Sequence, residues 1–166
     1  MITKKSVKTR SNVDPIWIED LRANVKHGIE IGQQFCNCQY PYHVLWPILR
    51  ASEITGSLRY SEDTTLAPTL IPLIGDGTRI LIAGSADTGT LCVVGRICAS
   101  QKANYTIIDR CPAPLKLIDE FAESRGIGCR TIETDLTVMS AQSAWDVIFV
   151  NYTFQFMTVE QRQAAL

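Results

Sequence analysis

At 166 residues and 46% hydrophobic content, the chain is long enough to bury the core of one domain, which argues against disorder of the whole. Its 16 basic and 17 acidic side chains leave a net charge of -1, so no global field favours nucleic acid or an anionic membrane surface. No apolar run approaches the roughly 20 residues of a membrane span, and the charged start Met1-Ile2-Thr3-Lys4-Lys5 lacks a leader's apolar stretch; a soluble cytoplasmic protein with a small-molecule partner is expected.

In chain order, residues 1–11 carry Lys4, Lys5, Lys8 and Arg10 without interleaved aromatic residues and read as a flexible end. Residues 12–74 read as a helical appendage and linker. Asp14 and Pro15 suit a helix start, and Ile16, Leu21, Val25 and Ile29 recur at helical spacing toward Phe35. A second helix is expected from near Pro41, carrying Val44, Leu45, Ile48 and Leu49. From Ser61 to Gly77, Pro68, Pro72 and Gly75-Asp76-Gly77 read as a connection.

Residues 75–166 alternate strand and helix patterns. Arg79 to Ala83 is an apolar run ending at glycine, followed by a helix through Leu91, Val94, Ile97 and Cys98. Tyr105 to Ile108 is the second strand. A helix bearing Leu115, Ile118, Phe121 and Ala122 follows and closes at Gly126. Arg130 to Ile132 and Trp145 to Val150 complete four strands, the last with the composition of a strand covered on both faces. Such alternation predicts an α/β fold with a parallel sheet and right-handed crossovers.

In a sheet of this kind ligands bind beyond the carboxyl ends of the strands. There the first strand breaks into Gly84-Ser85-Ala86-Asp87-Thr88-Gly89, small residues that permit a tight turn and a close helix start. Asp109 ends the second strand, within reach of a ribose diol, and Asp135 follows the third, where it can accept from an exocyclic amine.

Together, the glycine loop, the acid after strand two, the Asp135-Leu136 step and the strand opened by Trp145-Asp146-Val147-Ile148 resemble the successive motifs of class I, Rossmann-like S-adenosylmethionine-dependent methyltransferases. The match runs from Ile80 to about Met157. Two departures stand out: Ile82 where the family often has an acid, and Ala86 in place of the middle glycine. The resemblance implies strand order 3-2-1-4 in an incomplete sheet, S-adenosylmethionine as cofactor and a small-molecule methyl acceptor. It also implies a cofactor-binding set of Gly84, Ser85, Ala86, Asp87, Gly89, Asp109, Arg110, Asp135, Leu136 and Asn151. Gly84, Ala86 and Gly89 would face the methionyl end, Asp109 the ribose, and Asp135 with Leu136 the adenine. Asp87 offers the methionyl amine a contact, although capping the next helix is its simpler role.

Asn151 and Tyr152, directly after strand four, are the catalytic candidates, with Phe154 and Phe156 as walls of the site or as core residues. His43 beside Tyr40, Tyr42 and Trp46 reads as core packing or as part of a lid over the acceptor. A grouping of His27, Cys36, Cys38 and His43 does not have zinc spacing: one residue separates the cysteines, and His27 falls inside a helix far from them. No metal is expected, and Cys111 reads as a turn filler. The other cysteines read as reduced core residues.

The complete family fold continues beyond strand four, so ending at Leu166 is expected to leave an apolar strand at the sheet edge, open to self-association or a partner chain. Two further readings stay open: a cofactor-binding module without catalysis, and an NAD(P)-dependent oxidoreductase, whose fingerprint Gly84-x-Ala86-x-x-Gly89 approximates.

Overall fold

A computed structural model describes residues 24–52, 66–98, 102–139, 145–150 and 153–165. The basic N-terminal segment, the start of the first expected helix, and Asn151 and Tyr152 lie outside them. The first two helices are α1 (Val25–Phe35) and α2 (Tyr42–Ala51). They lie unusually close because α1 presents glycines: a Cβ on Gly28 would meet Pro47 Cγ at 3.0 Å, and one on Gly32 would meet the His43 carbonyl oxygen at 2.7 Å. This contact sets the buried face of α2. His43 and Pro47 are buried against α1, whereas Leu45, Ile48 and Leu49 are exposed.

The segment expected as a plain connection contains a short helix, α3 (Ala67–Leu70), running into a 3-10 turn at Ile71–Leu73. It contributes Leu70 and Ile74 to the main core. Strand β1 (Arg79–Ala83) follows, then α4 (Gly89–Ile97), β2 (Asn104–Asp109), α5 (Pro112–Arg125), β3 (Cys129–Glu133), β4 (Val147–Val150) and α6 (Val159–Ala164). Helix α5 begins on Pro112 and stops at Gly126, whose φ of +63° and backbone N–H close the last turn.

All strand pairs are parallel and the sheet order is β3-β2-β1-β4, as expected. Ile80, Ile82, Tyr105 and Ile107 face Leu91 and Val94 of α4 and Leu115, Ile118 and Ala122 of α5. Leu81, Ala83 and Ile108 form the core of the opposite face with Leu136, Trp145 and Val150. Central β1 is therefore sealed on both sides, and truncating a side chain such as Ile82 to alanine costs about 2–5 kcal/mol. Strand β4 differs from its expected full burial: it pairs only with β1 among the described strands, and Ile148 is 52% exposed.

A smaller core of Ile31, Cys111, Ala113 and Leu117 joins α1 to the start of α5. Through it the N-terminal helices sit against the carboxyl end of the sheet. No helix among the described residues is long and apolar enough to cross a membrane.

Candidate functional site

The chain leaves β1 at Gly84, whose N–H still donates to the Ile108 carbonyl at 2.8 Å and whose φ of +76° then turns the backbone out of the sheet. The next N–H, from Ser85, donates to Asp109 Oδ2 at 2.9 Å, and the Ser85 hydroxyl donates to the Asp87 carbonyl at 2.7 Å. Asp87, buried at 3% exposure, accepts the Gly89 N–H on Oδ1 at 2.8 Å. It thus supports the first turn of α4, the simpler of its two expected roles. The loop is fixed before any ligand is considered.

Asp109 has two duties. While Oδ2 holds Ser85, Oδ1 accepts the Cys111 N–H at 2.8 Å. Asp135 behaves similarly at the end of β3: its Oδ1 accepts the Thr137 N–H and hydroxyl, both at 2.8 Å, opening a 3-10 turn at Leu136–Val138. Arg110 Nη1 lies 3.5 Å from Asp135 Oδ2. The hydrogen bonds from Thr137, with the Arg110 charge, hold the Asp135 carboxyl below the usual carboxylate range.

These strand ends open on a cavity of about 430 Å³, within the range of small-molecule and cofactor pockets. Of the residues expected to bind cofactor, Gly84, Ser85, Ala86, Asp109, Arg110, Asp135 and Leu136 line it. Asp87 and Gly89 do not; they are spent on the turn beneath the loop. The opposite wall comes from Tyr40, Tyr42, His43 and Trp46, of which Tyr42 and Trp46 lie with ring centroids 5.4 Å apart. These aromatics, read from sequence as core or lid, face the cavity.

Thr153, Met157 and Gln161 also line the cavity but carry no sequence signal. Thr153 donates through Oγ1 to the Ala83 carbonyl at 2.9 Å, tying the 3-10 turn after β4 (Thr153–Phe156) to the end of β1. A Cβ on Gly84 would land on that hydroxyl. Phe154 is half-buried and is not a wall of the cavity.

At the cavity's edge the sulfurs of Cys36, Cys38 and Cys111 and a ring nitrogen of His43 all lie within 4.8 Å of one another. Nδ1 of His43 is 3.4 Å from Cys36 Sγ and 3.5 Å from Cys38 Sγ. His27 lies apart from the cysteines, as its place inside a helix implied, and pairs with Glu120 on α5, while Cys111, read from sequence as a turn filler, joins the group. Burial pulls the His43 imidazole below its ordinary value, against Asp109, Asp87 and a hydrogen bond to the Ser85 backbone. Desolvation and the neighbouring Cys111 push the Cys38 thiol up to about 12.

No protein-family model matches the sequence, and no curated protein matches it. Solved structures do. The apo form of the S-adenosylmethionine-dependent methyltransferase SibL superposes with a TM-score of 0.50 at 16% identity, over 87% of this chain and 45% of that one. YjhP from E. coli gives 0.49 at 20% identity, over 64% and 42%. An S-adenosylmethionine-dependent methyltransferase from Geobacter sulfurreducens, in complex with S-adenosyl-L-homocysteine, gives 0.48 at 17% identity, over 63% and 42%. The chain spans less than half the length of each. The likeness to SibL, together with the 3-2-1-4 parallel order, shows a Rossmann-like α/β fold for this chain.

Proposed function

We propose that the chain binds S-adenosylmethionine in the cavity at the carboxyl ends of β1, β2 and β3 and serves methyl transfer to a small-molecule acceptor. The observation that carries this reading is the loop at Gly84: a left-handed residue that admits no Cβ, followed by Ser85 and Ala86 on the cavity wall, with the carboxylates of Asp109 and Asp135 at the ends of β2 and β3.

The donor set fits the cofactor. A carboxylate offers about four lone-pair sites. Asp109 uses two on backbone N–H groups, leaving capacity for a ribose diol. Asp135 keeps Oδ2, shared only loosely with Arg110, for an amine donor. Leu136 supplies an apolar contact for an adenine face, and Tyr42 and Trp46 supply rings that attract a cationic sulfonium.

Bound there, S-adenosylmethionine supplies an electrophilic methyl group that requires little protein chemistry beyond alignment with the acceptor. Gly84 and Ser85 hold the loop, and the aromatic residues wall the opposite side of the cavity. Asn151 and Tyr152, which follow β4 in sequence, remain the proposed acceptor-orienting residues.

Calorimetric titration with S-adenosylmethionine, S-adenosylhomocysteine and NAD tests the reading. Binding of the two sulfur compounds at one site is expected. Binding of NAD alone would move the chain to the oxidoreductase reading, and binding of none would sink the proposal.

A further inference from the structure

The thiol cluster has a composition and geometry that hydrogen bonding within it does not use up. It brings together four good soft-metal ligands from three places in the chain: the loop after α1 gives Cys36 and Cys38, the first turn of α2 gives His43, and the turn between β2 and α5 gives Cys111. A disulfide would consume two of the four groups and leave His43 Nδ1 facing a lone thiol. All the described cysteines are free. One ion, by contrast, engages all four.

We propose that Cys36, Cys38, His43 and Cys111 form a tetrahedral zinc site that pins the N-terminal helices to the carboxyl end of the sheet. The proposal is independent of the cofactor reading.

Distances support it. Zinc bonds of about 2.3 Å to sulfur and about 2.0 Å to nitrogen make a tetrahedron with edges of about 3.5 Å between sulfur and nitrogen and about 3.8 Å between sulfurs. Two sulfur–nitrogen edges already measure 3.4 and 3.5 Å. No pair exceeds 4.8 Å, so the widest separation closes by about 1 Å. Three thiolates with an imidazole are soft ligands in tetrahedral array, which selects zinc over the hard divalent cations.

The surroundings match as well. A metal-bound histidine commonly anchors its second nitrogen on a carbonyl or carboxylate. With Nδ1 facing the sulfurs, Nε2 is the nitrogen that would take such an anchor. His43 and Cys111 are buried while Cys38 is exposed, so an ion has a route in on one side and a dry seat on the other. On binding, each thiol coordinates as the thiolate and its proton passes to solvent, while the imidazole coordinates as the neutral ring. Four protein ligands close the shell, so the site is structural and offers no position to a substrate.

The full chain, reduced and freed of metal by a chelator, is titrated with zinc and, as a spectroscopic probe, with cobalt(II). One zinc per chain is expected by elemental analysis, and the cobalt form should show intense visible bands of a tetrahedral thiolate site. Cys38→Ser, at the exposed ligand, should weaken zinc binding at least tenfold, and His43→Gln likewise. Cys129→Ser, on β3 outside the cluster, should leave it unchanged. Substoichiometric zinc, an octahedral cobalt spectrum, or equal affinity in Cys38→Ser and Cys129→Ser would each overturn the site. Formation of a disulfide among these cysteines by a chain that takes up no metal would overturn it too.

Discussion

Asp109 Oδ2 accepts the Ser85 N–H at 2.9 Å, so the acid at the end of β2 holds the loop that leaves β1. Its other oxygen restrains Cys111. Replacing Asp109 with alanine removes both acceptors and should destabilise the fold by about 1–3 kcal/mol in denaturant unfolding while abolishing S-adenosylhomocysteine binding. Asparagine keeps one acceptor oxygen. It should recover part of the lost stability and still bind the ligand at least tenfold more weakly than wild type. Equal ligand affinity in Asp109→Asn and wild type would refute the proposed ribose role, whatever happens to stability.

Gly84 should not tolerate a side chain. Alanine there is strained at φ +76° and collides with the Thr153 hydroxyl, so Gly84→Ala should cost about 1–3 kcal/mol and disrupt the Thr153 bond to Ala83. Adding Thr153→Ala removes the collision but not the strain. A double-mutant cycle should therefore show partial rescue; strictly additive losses would mean that the two residues do not meet.

Two other glycines should respond in opposite directions. Gly32→Ala places its methyl against the His43 carbonyl, backbone that cannot step aside, and should cost about 1–3 kcal/mol while weakening zinc uptake. Gly95 lies within α4 with open space where its Cβ would be. Gly95→Ala should stabilise by about 0.5–1 kcal/mol, read as a higher denaturation midpoint.

A pH effect follows from Asp146, which accepts the Arg79 N–H and both ends of its guanidinium fork at 2.7–3.1 Å. These bonds lower the Asp146 carboxyl from 3.8 to about 2. Because the folded value is depressed, the contribution is present above the unfolded value and disappears as pH falls from about 4 to about 2. Comparing acid-unfolding curves of wild type and Asp146→Asn should show the variant missing that segment of the decline. The pair lies at the surface with both side chains about half exposed, so salt should shrink the difference.

The helix-strand alternation was legible because apolar runs such as Ile80-Leu81-Ile82 and the stop at Gly126 follow from local periodicity and turn chemistry, whereas the strand order was implied only by the family resemblance. The cavity-facing positions of Gly84, Asp109 and Asp135 were legible for a topological reason: parallel strands deliver their ends to one side. What escaped depends on contacts between distant segments. Nothing in the spacing of Cys36 and Cys38 points to Cys111, although its place two residues past Asp109 puts it at the same end of the sheet. The buried face of α2 is not its most apolar one, since Leu45, Ile48 and Leu49 are exposed. The glycines of α1 select instead the neighbour that comes closest, His43 and Pro47. Thr153 is an ordinary polar residue until the fold lays it over Gly84.

The pairing pattern of the sheet also governs how the chain can reach this structure. Among the described strands none pairs with an antiparallel neighbour, so none of them can form as a local hairpin. Arg79 opposes Asn104 across one side of β1, but on the other side Ile80 waits for Val147. Arg79 itself is clamped by Asp146, 67 positions later in the sequence. During synthesis, therefore, the most deeply buried strand emerges first and completes its pairing last. Loop-closure entropy sets the pace of that final step, and until then one edge of β1 is exposed to capture by another chain.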